Sequence, residues 1–249
     1  MKDRSKSRAA RAVAVLAAVI LITAAAFGVY VGDYYRAEPS VSDILTSDSG
    51  PVQVCETQYG WFLDGPSTEN AMVFYPGAKV DEKAYIPLLY RFAESGMDVC
   101  LVKMPFHLAI FGMNEASGVM AQYDYANWYI GGHSLGGAMG ANYACGHADE
   151  LRGVVLLAAY ATKELDDDLV EVVLYGSEDE VLTDGKIEEG RAYAPGLPGH
   201  YLEHVIEGGN HAQFGNYGEQ SGDGTASITG AQQQEQTVVA VLDLLDAAA

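Results

Sequence analysis

Residues 127–144 read NWYIGGHSLGGAMGANYA, and the architecture of the whole chain follows from how this stretch is built. Trp128-Tyr129-Ile130 is a short aromatic and β-branched run of the kind that fills a buried strand. It breaks at Gly131-Gly132, presents Ser134, and enters a proline-free segment of glycine, alanine and methionine suited to a closely packed helix. Gly132-His133-Ser134-Leu135-Gly136 matches G-x-S-x-G, in which a strand turns sharply into a helix with serine at its tip. The serine backbone is strained in such a turn. Glycines two residues to either side let strand and helix pass closely.

Around this stretch, strand-like and helix-like segments alternate. Upstream, residues 52–64 (VQVCETQYGWFLD) alternate well enough for an opening hairpin, and Gly65-Pro66-Ser67 turns the chain. Residues 71–75 form a short buried strand ending at Pro76-Gly77. Residues 81–94 have helical spacing, with Tyr85, Leu88, Leu89 and Phe92 on one face and Pro87 placed to kink the helix or delay its start. A strand over 97–104 and a helix over 114–123 lead into the central stretch. Downstream come strands over 151–158 and 169–175, a weak helix over 186–193, a strand over 201–206 and an amphipathic helix over 232–245. This order predicts an α/β fold with a largely parallel sheet flanked by helices, and its site at the carboxyl ends of the strands. Only residues 159–168 separate two of the strands. That is too short for an inserted domain, so the site is expected to be a cap-less, open cleft.

Residues 1–11 carry five Lys or Arg, and residues 12–31 carry no charge at all. At about 1.5 Å per residue the uncharged run spans about 30 Å, the thickness of a bilayer core. A cleaved signal peptide is the alternative, with Ala24-Ala25-Ala26 as its exit. The apolar run continues past that exit, however, and Tyr30, Tyr34 and Tyr35 suit an interfacial aromatic belt. The reading is therefore a basic cytoplasmic end at 1–11, a single-pass transmembrane anchor at 12–31, a polar tether at 32–51 and one domain at 52–249. The positive flank places that domain outside the cytoplasm. From residue 37 on, eight Lys or Arg face 32 Asp or Glu, a formal charge of −24. Such a surface repels phosphate backbones and excludes nucleic acid as a partner. Cys55, Cys100 and Cys145 form no C-x-x-C pattern and there is no H-E-x-x-H, so neither a metal nor another cofactor is expected.

A serine hydroxyl becomes a useful nucleophile when a neutral imidazole takes its proton and a carboxylate holds that imidazole. His211 sits in Glu207-Gly208-Gly209-Asn210-His211, just beyond the last strand, and is the expected base. His107, His147, His200 and His204 lack a comparable setting, and His133 adjoins the nucleophile but points elsewhere. Asp179, three residues past the glycine that ends strand 169–175, is the expected acid, with Glu178 and Asp184 as alternatives. For the oxyanion, one donor is the N–H of Leu135 at a helix start, where the dipole helps. The second is the N–H of Gly77 or Ala78 in the loop after strand 71–75. Phe106 and Phe111 are candidate walls of the substrate cleft.

The segments FYPGAKVD (74–81), LVKMPFHLAIFG (101–112), IGGHSLGGAMGANYA (130–144), LYGSEDE (174–180) and GGNHAQFGNYG (208–218) resemble the compact bacterial fold-5 type of α/β-hydrolase, related to dienelactone hydrolases. The likeness covers roughly residues 52–245. It implies a Ser-Asp-His hydrolase whose motif positions fall on Ser134, Asp179 and His211; dienelactone hydrolases proper use cysteine where this chain has Ser134. The expectation is a membrane-tethered, cofactor-free serine hydrolase acting on a small acyl substrate such as a carboxylic ester. An acyltransferase or lipase-like enzyme on the same triad, or a non-catalytic binding protein of the same fold, are the alternatives.

Overall fold

The computed structural model describes residues 2–46, 50–66 and 69–248, in two units that meet in the sequence between Tyr34 and Tyr35. The first unit is one helix, α1 (Lys2–Gly32). Its segment Val13–Gly32 is 20 residues long with a mean hydropathy of 2.5 and no burial. That length and composition suit a membrane span, and equally a signal sequence.

The second unit opens with a short helix, α2 (Val41–Leu45), and a hairpin of β1 (Gln53–Thr57) and β2 (Gly60–Asp64). Then follow β3 (Asn70–Tyr75), α3 (Ile86–Glu94), β4 (Asp98–Val102), α4 (Glu115–Met120), β5 (Asn127–His133) and α5 (Leu135–Ala144). The chain continues through β6 (Gly153–Leu157), β7 (Val170–Gly176), α6 (Asp184–Arg191), β8 (Tyr201–Ile206) and α7 (Gly230–Ala248). Among the described residues, eight strands form one sheet in the order β1-β2-β4-β3-β5-β6-β7-β8. The β1–β2 and β2–β4 pairs are antiparallel, and every other pair is parallel. The expected strands and helices are present, their ends moved by a few residues. β4, for example, stops at Val102, ahead of Pro105.

Strand alternation sends neighbouring side chains to opposite faces. From β3, Met72 and Phe74 join a core with Leu88, Leu89 and Phe92 of α3 and Val238 and Val241 of α7. Ala71, Val73 and Tyr75 join a second core with Val119 of α4 and Ala141 and Tyr143 of α5. Pro87 delays the helix rather than kinking it. Glu82–Tyr85 forms a 3-10 turn whose start is capped by Asp81 accepting from the Lys83 N–H at 3.1 Å. The α-helix begins at Ile86, so Pro87 lies in its first turn, where no intrahelical bond is lost. No cap domain separates β6 from β7, since residues 158–169 hold neither helix nor strand.

The expected tether at 32–51 differs from what is found. The Tyr35 N–H donates to the Lys79 carbonyl at 2.7 Å, and the Tyr35 carbonyl accepts from the Asp81 N–H at 2.8 Å. Val41 is buried in the core beneath α3, with Tyr35, Ala37, Ile44 and Leu45 partly buried beside it. These apolar side chains are interspersed among polar ones, so composition hid a segment that docks on the sheet unit; residues 47–49 lie outside the described residues.

Candidate active site

Ser134 sits between β5 and α5 at φ 52°, ψ −122°, a conformation costly for any residue with a Cβ. Its N–H donates to the Leu157 carbonyl of β6 at 2.9 Å, which fixes the turn from outside. The motif glycines are needed for contact. A Cβ on Gly132 would lie 2.6 Å from the Gly136 carbonyl carbon and the Gly137 nitrogen. One on Gly136 would collide with the carbonyl oxygens of Tyr75 and Pro76. Among the described residues, the non-glycine residues at positive φ are Lys79, Phe106, His107, Ser134 and Ala158. All follow the carboxyl ends of β3 to β6, the edge at which open α/β sheets build their sites.

Strand register brings the distant segments to that edge. Tyr75 of β3 pairs with Gly132 of β5, so the loop after β3 runs beside Ser134. Gly176 of β7 pairs with Ile206 of β8, so the loops carrying Asp179 and His211 leave the sheet side by side. Asp179 Oδ2 lies 2.9 Å from His211 Nδ1, with the two side chains 1 % and 2 % exposed. Its other oxygen accepts from the N–H groups of Val181 and Leu182 at 2.8 and 2.7 Å. A carboxylate accepts, so Nδ1 carries a proton, and in the neutral ring Nε2 holds the lone pair. Nε2 is buried and hydrogen-bonded to nothing among the described residues, Ser134 included. Of the alternative acids, Glu178 and Asp184 are exposed, and Glu178 takes a bond from the Ser177 hydroxyl.

The backbone of His211 is fastened from three sides. Asp223 accepts from the His211 N–H at 3.2 Å and, through its other oxygen, from the Ala212 N–H at 2.8 Å. Gln233 of α7 clamps the preceding residue, accepting from the Asn210 N–H at 2.9 Å and donating to its carbonyl at 2.8 Å. Nε2–H of His133 donates to the His211 carbonyl at 3.0 Å. His133 Nδ1 then accepts from the Tyr85 hydroxyl at 2.8 Å, and that hydroxyl oxygen accepts from the Gly77 N–H at 3.1 Å. Burial, and secondly the neighbouring His211, hold the His133 imidazole well below its ordinary 6.5, so it is neutral. Sequence reasoning set His133 aside and read Tyr85 only as core. It passed over Gln233 and Asp223, and the one available hint was an acid within the glycine-rich GEQSGDG stretch.

Of the two candidate donors in the loop after β3, one is already engaged. The Gly77 N–H is taken by Tyr85, whereas among the described residues the Ala78 N–H has no partner. At the first position of α5, the Leu135 N–H lacks an intrahelical acceptor. Phe106 and Phe111 follow β4, both half exposed, their rings edge to face with centroids 5.6 Å apart. The short turn that carries Phe111 packs on α5, and the Lys79 N–H donates to the His107 carbonyl at 2.8 Å, joining the loops after β3 and β4.

Three solved structures share this scaffold. An esterase/lipase from an uncultured bacterium superposes with a TM-score of 0.57 at 10% identity, covering 83% of this chain and 89% of its own. A bacterial heroin esterase gives 0.54 at 14% identity over the same shares of the two chains. Est1E from Butyrivibrio proteoclasticus gives 0.55 at 13% identity, covering 79% and 100%. At such identities the likeness speaks for the fold. No curated protein matches the chain. A profile described as the alpha/beta hydrolase family matches residues 71–235, from the start of β3 into α7 and across the loops that carry Ala78, Ser134, Asp179 and His211. A chain matched over that span, with its strands in this order, belongs to the alpha/beta hydrolase family.

Proposed function

We propose that this protein is a serine hydrolase that cleaves carboxylic esters or related acyl compounds through an acyl-enzyme intermediate. Ser134 Oγ attacks the acyl carbon while His211 Nε2 takes its proton, and the imidazolium later returns that proton to the leaving oxygen. Asp179 holds the tautomer and stabilises the charge that forms on the ring. The N–H groups of Leu135 and Ala78 receive the developing oxyanion. Gly77 drops out of that role because its N–H is already bonded. Water then repeats the sequence on the acyl-enzyme.

The observation that carries this reading is the buried Asp179–His211 pair, whose only unbonded nitrogen belongs to a ring 4.6 Å between centroids from His133, the residue before the strained serine. The absence of an inserted domain between β6 and β7 favours short, soluble esters, with Phe106 and Phe111 as apolar walls of an open cleft. The long apolar helix supports attachment to a membrane, and the basic residues before it favour a cytoplasmic amino end with the hydrolase unit on the outer side.

Ser134→Ala and His211→Ala each lower kcat/KM toward p-nitrophenyl acetate by at least about 10³-fold, and the double variant is little worse, because the two groups act as a unit. Near-full activity in Ser134→Ala contradicts the assignment. Across a series of p-nitrophenyl esters kcat/KM falls as the acyl chain lengthens; a rise toward long chains overturns the short-ester preference.

A further inference from the structure

Two buried residues that take no part in the chemical steps above join three separate parts of the site. Tyr85 lies in the 3-10 turn that Pro87 forces before α3, and His133 is the last residue of β5. Both are essentially inaccessible, at 0 % and 1 % exposure. From the Gly77 N–H the bonds run in one direction, to the Tyr85 oxygen at 3.1 Å, from the Tyr85 O–H to His133 Nδ1 at 2.8 Å, and from His133 Nε2–H to the His211 carbonyl at 3.0 Å.

The direction is fixed by its two ends. An amide N–H only donates and a carbonyl only accepts, so each of the intervening groups has a single way to orient its proton. Tyr85 must donate to His133, and His133 must carry its proton on Nε2. The Phe74 and Phe214 rings, 5.4 Å from Tyr85 and 5.7 Å from His133 between centroids, enclose the pair and keep water from supplying alternatives.

We infer that Tyr85 and His133 are positioning residues for the hydrolase reaction, a one-way hydrogen-bonded strut that sets the loop before Ala78 and the backbone of His211 at a fixed spacing about Ser134. The inference rests on the serine-hydrolase reading and goes beyond it. Ser134 directly follows His133, so the strut passes through the residue that leads into the nucleophile turn. The Ala78 donor follows Gly77, which the strut anchors at one end. The base is the residue whose carbonyl the strut holds at the other. Neutral His133 also matters electrostatically. A charged imidazole 4.6 Å from the His211 ring would oppose the protonation that ring undergoes in each half-reaction.

Tyr85→Phe keeps the ring and its packing but removes the hydroxyl. The Gly77 N–H and His133 Nδ1 then lose their partners, and His133 is free to move its proton to Nδ1 and release the His211 carbonyl. His133→Leu removes the strut, whereas His133→Gln returns an N–H donor at the reach of Nε2. A displacement of about 1 Å in a reacting group costs up to about 10²-fold in rate. The expected result with the full-length chain in detergent, on p-nitrophenyl acetate, is a fall in kcat of at least about 10-fold in Tyr85→Phe and His133→Leu. KM should stay within about 3-fold, because substrate binding does not use these groups, and His133→Gln should recover to within about 5-fold of wild type in kcat. Tryptophan fluorescence reports the folded fraction, and should His133→Leu fail to fold, Tyr85→Phe decides the matter by itself. Labelling of wild type by a fluorophosphonate probe at Ser134 separates two kinds of failure. Wild type that takes no label overturns the hydrolase reading and this inference with it. Wild type that labels, beside a folded Tyr85→Phe with unchanged kcat, overturns the strut alone. So does a loss that appears in KM rather than kcat, or that His133→Gln shares in full with His133→Leu.

Discussion

Glu171 gives a sharp test of how the interior of this protein treats charge. It lies on β7, the strand that also delivers Asp179, and is wholly buried with neither carboxylate oxygen bonded to anything among the described residues. An unpaired charge there is costlier than a proton, and burial pushes the carboxyl up from 4.5 to about 8. Below pH 4.5 the folded and unfolded chains both hold the proton. Between 4.5 and about 8 the unfolded chain releases it while the folded chain keeps it, so stability falls as pH rises. Above 8 both are ionised and the slope ends. The window spans roughly 3.5 pH units. At about 1.4 kcal/mol per unit the loss amounts to at most about 5 kcal/mol. Glu171→Gln has nearly the same shape and does not titrate. Subtracting its unfolding free energy from that of wild type at each pH removes every other group from the comparison. We expect the variant's advantage to grow by about 2–4 kcal/mol between pH 5 and pH 8. The assay is urea unfolding of the full chain in non-ionic detergent. It is followed by the fluorescence of Trp61 and Trp128, the chain's two tryptophans, in β2 and β5. An advantage that stays constant over this range would refute the reasoning and mean that the carboxylate finds a partner or water when it ionises.

Two further outcomes follow. Gln233→Leu leaves the buried N–H and carbonyl of Asn210 unpaired, which should destabilise the sheet unit by about 2 kcal/mol or more and lower kcat through His211; a melt and a rate that match wild type would show that the clamp is dispensable. On fractionation, full-length protein should pellet with membranes, resist a high-salt wash and dissolve in detergent, whereas soluble protein beginning at Phe27 would show cleavage after Ala26 and overturn the anchor.

The sequence alone determined what depends on local order. The strands and helices are spelled in apolar periodicity, and the turn at Ser134 in glycines whose absence of a Cβ is a local necessity. The meeting of Asp179 with His211 was legible because each lies a few residues past a strand end, and in a parallel sheet all such ends point the same way. The tertiary structure decided whatever depends on partners far apart in the chain. Tyr85 and His133 are separated by 48 residues, and His133 and the His211 carbonyl by 78. No spacing rule joins them, so Tyr85 read as one more residue on an apolar face and His133 as a bystander. Gly77 and Ala78 were equal candidates in sequence because each carries an N–H. A tyrosine hydroxyl eight residues on occupies the first and leaves the second free. Residues 35–45 read as tether for the same reason: single apolar side chains such as Val41 carry little periodic signal, and only packing against α3 reveals that they are core. Local pattern records which way a side chain faces along its own element, while the identity of the group it meets there is set by how the elements close on one another.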